Sequence, residues 1–504
     1  MPNTGAKRRM LLFSLLSSAI MLLFFSRCSP LYPTNSWVDA NCFFTVGRGM
    51  LKGLLPYRDF VEQKGPLLYA LHALAAWISY DSFLGVWLIE IVAVALFMFF
   101  SWKTVTEIAG KDISAAVGVT ACTLLVLSSR AFIYGDTAEE MIMPLQAWAL
   151  CDLLGYMRSS SRQMTVRRLM LQGFLAGCVF WMKYSLLGVH FAFMAVIAID
   201  AVVREHKLVH AFVMCVWFLL GMALSAVPWL IYFGVNGALW DLFTGYFKNN
   251  LSGYGTGANP AVSIVRGLGG GLVRDPVLAI LLLCGAVYLL MRIIRHSWSA
   301  ACTAVAVAVC CEVVMIYCYG QLFRYSFMAM AVFVPLCSVA IIEAMQQVVR
   351  HRRACVVGTC TLMLICVTYS CLKNENLPYI GYPKSELPQT QFAEEIHREG
   401  GGSVLNYGFG DGGFYLATGE QPPIADFIAF NLKKEESKGR QAEGLRTRDI
   451  RWVVTRGDSE ADRELMNELG YEWVMDAGSP YDRNTKLKRP IYQYHLYRKT
   501  RTSE

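Results

Sequence analysis

Asp39 stands at the head of a helical stripe. Asp39, Phe43, Val46, Met50 and Leu54 recur at spacings that share one helix face. A carboxylate above an apolar stripe is costly to bury unpartnered. Its type and place fit a general base or substrate-binding acid, and equally a helix N-cap. Further on, Pro56-Tyr57-Arg58-Asp59-Phe60 and Lys64-Gly65-Pro66 return charge to the chain. Arg58 and Lys64 suit a phosphate at a membrane interface, or snorkelling anchors. A second acidic group, Asp136, Glu139 and Glu140, is spaced i, i+3, i+4 at a helix start. Thr137 and Glu140 also fit a capping box, which leaves Asp136 and Glu139 unexplained. We expect these acids to bind acceptor or a divalent ion. They depart from a clean Asp-x-Asp, so the metal itself stays unknown. Lys183 and Arg324-Tyr325 supply two more cation positions beside aromatic residues. They fit a phosphate site or interfacial anchoring. Lys248, Arg266 and Arg274 flank the glycines at 267 and 269–271, in a stretch that reads as a mobile loop.

The elements that must hold these residues follow from composition. The chain is 504 residues long, 55% hydrophobic and 17% charged. A soluble domain carries about 25% charged residues. Residues 1–372 are about 12% charged and residues 373–504 about 30%. That division excludes a coiled coil, disorder and an ordinary cytosolic enzyme. It predicts an α-helical polytopic membrane region, 1–372, with a small α/β domain, 373–504. The net charge of +8 is +10 in residues 1–372 and −2 in the tail, so it reports topology and gives no reason to expect nucleic acid.

Eleven spans are expected: 10–26, 83–102, 113–130, 141–157, 169–183, 186–203, 208–233, 276–291, 299–318, 326–345 and 354–371. Sixteen Lys and Arg residues fall in one alternating set of short loops. The amino terminus is therefore expected in the cytoplasm and the tail outside. The outer loops are then 27–82 and 234–275. Residues 66–80 are apolar but would reverse the topology if they spanned, so they read as an embedded helix. Asp39, Asp136 and Glu139 all fall on the outer side. The deep acids are few: Glu90 and Glu312, with Asp152, Asp200 and Glu343 near inner ends.

The tail shows helix signals at 388–399, 440–447 and 460–470. Strand signals are Ser403–Tyr407, Arg451–Thr455, Tyr471–Asp476 and Ile491–Tyr497. Gly408-Phe409-Gly410-Asp411-Gly412-Gly413 matches G-x-G-x-x-G after the first strand. No acid-ended strand follows about 20 residues on, so a tight turn is expected there. None of the 16 cysteines lies beyond Cys371 and no CxxC pair occurs. A disulfide framework, zinc or redox site is not expected.

The pattern Asp39 … Gly53-x-x-Pro56-Tyr57-Arg58-Asp59-Phe60 … Lys64-Gly65-Pro66-Leu67 resembles the first outer loop of GT-C glycosyltransferases. Within that superfamily it looks like the bacterial relatives of protein O-mannosyltransferases and the aminoarabinose transferase of lipid A. The resemblance implies an inverting sugar transfer from a polyprenyl-phosphate-linked donor to a glycan, lipid or protein acceptor of the cell envelope. It implies Asp39 as general base and an embedded helix at 66–80. It implies Arg58, Lys64, Lys183, Arg324 and Tyr325 at the lipid phosphate, Asp136, Glu139 and Glu140 toward the acceptor or a divalent cation, and no nucleotide cofactor. The residues alone leave two rivals. One is a flippase for lipid-linked sugars and the other a non-catalytic membrane scaffold.

Overall fold

A computed structural model describes residues 4–110, 112–253, 259–295, 299–320, 322–348, 352–429, 434–478, 483–484, 489–490 and 492–500. All eleven expected spans are helical. They are Thr4–Phe25, Leu84–Ala109, Asp112–Leu127, Ala138–Arg158, Val166–Lys183, Gly188–Glu205, Leu208–Val235, Pro276–Ile294, Ser299–Tyr317, the pair Arg324–Phe333 and Pro335–Val348, and Arg352–Lys373. Among the described residues, six helices are by themselves long and apolar enough to cross a bilayer, and the broken pair makes a seventh. The protein is a multi-pass membrane protein. The tenth expected span is not one helix. It runs as a tight 3-10 helix to Phe333, restarts at Pro335, and bends by 43°. Proline has no amide hydrogen to continue the ladder, but suits the first position of a new helix.

The chain divides into two compact units. The first holds Met1–Ser26, Ile89–Tyr232 and Gly255–Leu377. Small residues bring its helices together. A Cβ on Gly173 would lie 1.9 Å from the Phe218 carbonyl oxygen, and one on Gly221 would lie 2.0 Å from that of Met170. Helices Val166–Lys183 and Leu208–Val235 thus pack backbone to backbone, the usual route to close contact in lipid. The acids near the expected inner ends are paired. Asp152 takes a fork from Arg168 Nε and Nη2 at 3.0 and 2.6 Å, Asp200 is 2.5 Å from Arg162, and Glu343 pairs with Arg292.

The second unit holds Arg27–Leu88, Phe233–Tyr254 and Pro378–Glu504. Helix Pro66–Ile78 forms where the embedded helix is expected, with Pro66 at its first turn. It packs on helix Val38–Leu51, and Gly47 lets it approach: a Cβ there would lie 2.5 Å from the His72 carbonyl carbon. The tail carries a four-stranded sheet of β1 (Val404–Asn406), β2 (Trp452–Arg456), β3 (Tyr471–Gly478) and β6 (Gln493–Lys499), in the order β1-β2-β6-β3. The intervening β4 (Arg483–Asn484) and β5 (Arg489–Pro490) form a separate pair that was not expected. β1 and β2 are parallel, and β6 is antiparallel to both neighbours. All four expected strands are present, and Ile491, the expected start of the last, lies outside the described residues. Helices Pro388–Arg398, Lys434–Thr447 and Glu460–Glu468 match the tail's three helix signals. Phe392, Phe409, Phe414, Trp452 and Leu496 form a core on one side of the sheet; Leu405, Leu445, Val453, Met466 and Tyr497 form a second.

Candidate functional site

Asp39 lies in the first turn of helix Val38–Leu51, whose N-cap is Trp37. The capping alternative therefore does not account for Asp39, although an acid in a first turn still complements the helix dipole. Of the expected stripe, Phe43 and Val46 are buried, while Leu54 lies beyond the helix end at Leu51. Residues 40–49 are buried all round, so the helix is enclosed rather than one-sided.

The segment after this helix turns sharply at Tyr57, which has a φ of +71°. Its hydroxyl donates to the Lys64 carbonyl at 2.5 Å, closing the segment on itself. The Lys64 amide donates to Tyr69 Oη at 3.0 Å, and the Tyr69 hydroxyl donates to Glu62 Oε2 at 2.5 Å. The Lys64 ammonium is buried and sits 5.5 Å from the centre of the Phe43 ring. Phe43 also meets His72 and Tyr69, at 5.5 and 6.4 Å between ring centres. Cys42 is subject to the charge of several of these groups. Burial first, then Glu62, Asp411 and Asp39, push its thiol well above the ordinary range, while Lys64 acts in the opposite sense. Asp39, Glu62 and Lys64 thus all act on the buried Cys42 thiol through their charge. Glu62 and Tyr69 were missed from sequence. The signal for Tyr69 was a tyrosine three residues into a helix whose other polar residue is His72.

Arg58 is placed differently. Its Nε donates to Asp241 at 2.9 Å, Nη1 to the Asn236 carbonyl at 3.1 Å and Nη2 to the Gly237 carbonyl at 2.6 Å. Its guanidinium is occupied in tying the first loop to residues 236–241.

The C-terminal glycine motif also meets this helix. Asp411 is fully buried, accepts from Thr45 Oγ1 at 2.6 Å and from the Gly413 amide at 2.9 Å, and lies in the field of Arg48. Arg48 donates to the Tyr415 carbonyl at 3.0 Å. A Cβ on Gly410 would stand 3.1 Å from Val38, and one on Gly413 would stand 3.0 Å from Asn41. The formal G-x-G-x-x-G is a turn that docks on a helix.

In the first unit, Gly135 and Asp136 take positive φ, +88° and +64°, so the chain turns into helix Ala138–Arg158. Thr137 caps it, accepting from the Glu140 amide at 3.0 Å. Glu140 Oε2 reaches back to the Asp136 amide at 3.0 Å, one residue beyond the usual capping-box return. The Asp136 amide also donates to Glu90 at 2.8 Å, and Glu90 accepts from the Ser26 hydroxyl at 2.8 Å. Glu90 and Glu140 are thereby engaged in shaping the turn. Glu139 faces elsewhere. Its Oε1 is 2.5 Å from Lys183 Nζ, and its buried Oε2 has no hydrogen-bond partner among the described residues. Lys183 lies 5.0 Å from the Tyr325 ring centre. Arg324 donates to the Arg130 carbonyl and to Glu375, the latter at 2.7 Å. Among the described residues, no three His, Cys, Asp or Glu side chains converge as a metal-binding group. Glu312 accepts from Gln146 at 2.8 Å and from the Val189 amide at 3.0 Å, at the start of a helix.

The expected mobile loop at 234–275 is largely helical where it is described: Leu239–Leu242, a π-turn Phe243–Lys248, Asn249–Gly253 and Pro260–Arg274. Gly267 and Gly271 serve packing, since Cβ atoms there would come within 2.3 Å of Tyr317 and 2.4 Å of Phe327. Composition alone does not separate a packing glycine from a flexible one.

No protein-family model and no curated protein sequence matches the chain. Solved structures do. ArnT from Cupriavidus metallidurans, bound to undecaprenyl phosphate, superposes with a TM-score of 0.61 at 12% identity, covering 97% of this chain and 98% of that one. The chain has the fold of ArnT. The apo form of the same enzyme agrees over 96% and 97% of the two chains, with a TM-score of 0.54 at 11% identity. Correspondence over both whole lengths includes the tail, so the likeness in fold extends to the C-terminus.

Proposed function

We propose that the protein transfers a sugar from a polyprenyl-phosphate-linked donor to an acceptor of the cell envelope, at the outer face of the membrane. The observation that supports this reading is that Asp39 and Lys64 belong to the same compact unit and both act through their charge on the buried Cys42, with Lys64 Nζ 5.5 Å from the centre of the Phe43 ring. It pairs a candidate base with a candidate phosphate cation. The whole-length likeness to an ArnT that binds undecaprenyl phosphate supports the donor class.

In the proposed step Asp39 takes the proton of an acceptor hydroxyl. The acceptor oxygen bonds to the anomeric carbon as the bond from that carbon to the phosphate oxygen breaks. Polyprenyl phosphate leaves with the bonding electron pair, and the anomeric configuration inverts. Lys64 stabilises the charge that develops on the leaving phosphate. Lys183, Arg324 and Tyr325 are proposed as further phosphate contacts, and Glu139 and Asp136 as acceptor contacts. Glu140 is assigned to the helix cap. The two deep acids, Glu90 and Glu312, each accept a backbone amide hydrogen, which weighs against a polar transport path.

The test is transfer from a synthetic polyprenyl-phosphate sugar by the purified protein and by Asp39→Asn. We expect kcat to fall by about 100-fold or more, the contribution of a general base. Unchanged transfer in this variant removes Asp39 from the mechanism.

A further inference from the structure

The glycines of helix Pro260–Arg274 fall into two sets. Gly267 and Gly271 are pressed against Tyr317 and Phe327, where no side chain fits. Gly269 and Gly270 face open space, with nothing within 4 Å of a Cβ. Packing explains the first pair and not the second. Gly270 lies midway between Arg266 and Arg274, at spacings of four and four. On an α-helix that places all three along one face, with the two arginines about 12 Å apart along the axis. The face is a bare notch with a guanidinium at each end.

The three residues line one cleft together with Arg130, Arg324 and Tyr317. Four guanidiniums therefore border it. Arg130 and Arg324 share a single carboxylate, Glu375, at 3.5 and 2.7 Å. Asp275, the acid in the cleft wall, is buried and already accepts the Ala131 amide at 3.0 Å. Arg274 has one long bond, 3.5 Å to the Leu322 carbonyl. No carboxylate pairs with Arg266 or Arg274 among the described residues. Guanidiniums bordering one cleft repel one another, and a planar five-donor group is suited to grip phosphate oxygens with two bonds at once.

We propose that this cleft binds a phosphate group, seated over Gly270 and held by Arg266 and Arg274. The phosphate belongs to a lipid: either the polyprenyl donor or another phospholipid. Only that choice of carrier rests on the sugar-transfer reading; the cleft itself does not.

The full-length protein in nanodiscs is titrated with inorganic phosphate, undecaprenyl phosphate and phosphatidic acid, the last carrying the same group without a prenyl chain. Two variants are compared with the wild type. One is Arg266→Ala/Arg274→Ala. The other is Gly270→Leu, whose Cβ meets nothing within 4 Å, whose longer side chain fills the notch, and which places a better helix former in the helix. Circular dichroism checks that both fold. We expect each to weaken inorganic phosphate binding by about 10-fold or more, as loss of charge-assisted bidentate contacts does. A matching loss for undecaprenyl phosphate alone assigns the donor, and a loss for phosphatidic acid assigns a phospholipid. Unchanged affinity for all three overturns the site. A loss in the arginine variant with none in Gly270→Leu overturns the seat over Gly270. Binding is read without turnover, so failure of the Asp39→Asn test leaves this result standing, and the reverse.

Discussion

The Thr45 hydroxyl donates to Asp411 Oδ2 at 2.6 Å, joining the helix that carries Asp39 to the glycine turn that follows β1. Arg48, one turn further along the same helix, bonds the Tyr415 carbonyl. The C-terminal residues thus hold the first-loop helix at two successive turns, and the orientation of Asp39 depends on them. Thr45→Val keeps the shape but leaves a buried carboxylate short of a donor. We expect it to cost about 1–3 kcal/mol of stability. Denaturant melts compared with Thr45→Ser, which restores the hydroxyl, check this. Equal losses in both variants would rule against the hydrogen bond as the cause.

Asp411 also sets a pH dependence. Burial raises its pKa to about 6, against the hydrogen bonds of Thr45 and Gly413 and the charge of Arg48. The folded protein then holds this proton more tightly than the unfolded chain, whose Asp titrates near 3.9. The stabilising contribution is full below about pH 4 and is lost as pH rises through about 6, an effect of about 3 kcal/mol. Asparagine does not titrate, so Asp411→Asn should gain on the wild type across that window and hold a constant difference above it. Melts at half-unit steps from pH 4 to 7.5 measure the gap. A difference that stays flat throughout would falsify the raised pKa.

Lys64 offers a direct test of phosphate stabilisation. Lys64 is buried, with its ammonium 5.5 Å from the centre of the Phe43 ring, so methionine can fill much of the same space without the charge. We expect Lys64→Met to fold and to lose about 100-fold in kcat, the effect of removing one charged transition-state contact. Lys64→Arg should recover part of it. A variant that turns over normally would show that the ammonium is only an anchor.

How far the sequence reached depended on the distance over which each feature is set. The eleven spans are written in continuous apolar runs, and each is helical, the tenth as a broken pair. The break in the tenth was signalled by Pro335, a residue with no amide hydrogen. The base candidate was readable because Asp39 heads a helical stripe. Its surroundings were not. Thr45 and Asp411 are 366 residues apart, and nothing local in either marks the other. The Glu62–Tyr69 contact depends on the left-handed turn at Tyr57, a conformation its residue type does not announce. The glycine stretch at 267–271 was visible, but its meaning lay in the rings of Tyr317 and Phe327.

The Glu139–Lys183 pair is nearly dry, with side chains 1% and 13% exposed. Removing one partner strands the other charge, whereas removing both does not. Lys183→Met should therefore destabilise the protein by about 3–5 kcal/mol. Adding Glu139→Gln should return much of that. Thermal melts of the single and double variants form the cycle. Additive losses would mean that the pair does not interact.

Arg58 separates two roles that share one residue type. A phosphate ligand needs free donors, yet its guanidinium bonds Asp241, Asn236 and Gly237. If the clamp is its role, Asp241→Asn should reproduce the effect of Arg58→Ala, because both release the first loop from residues 236–241. The pair is partly exposed, 40% and 29%, so its stability effect should be at most about 1 kcal/mol. The sharper readout is kinetic. A loosened loop should lower kcat in both variants to a similar degree, while the KM for donor changes little. A phosphate ligand predicts the opposite pattern: Arg58→Ala raises KM, and Asp241→Asn, by freeing the cation, leaves it unchanged or lowers it. Steady-state kinetics with a polyprenyl-phosphate sugar decides between them, and parallel behaviour of the two variants assigns Arg58 to the loop rather than to the substrate.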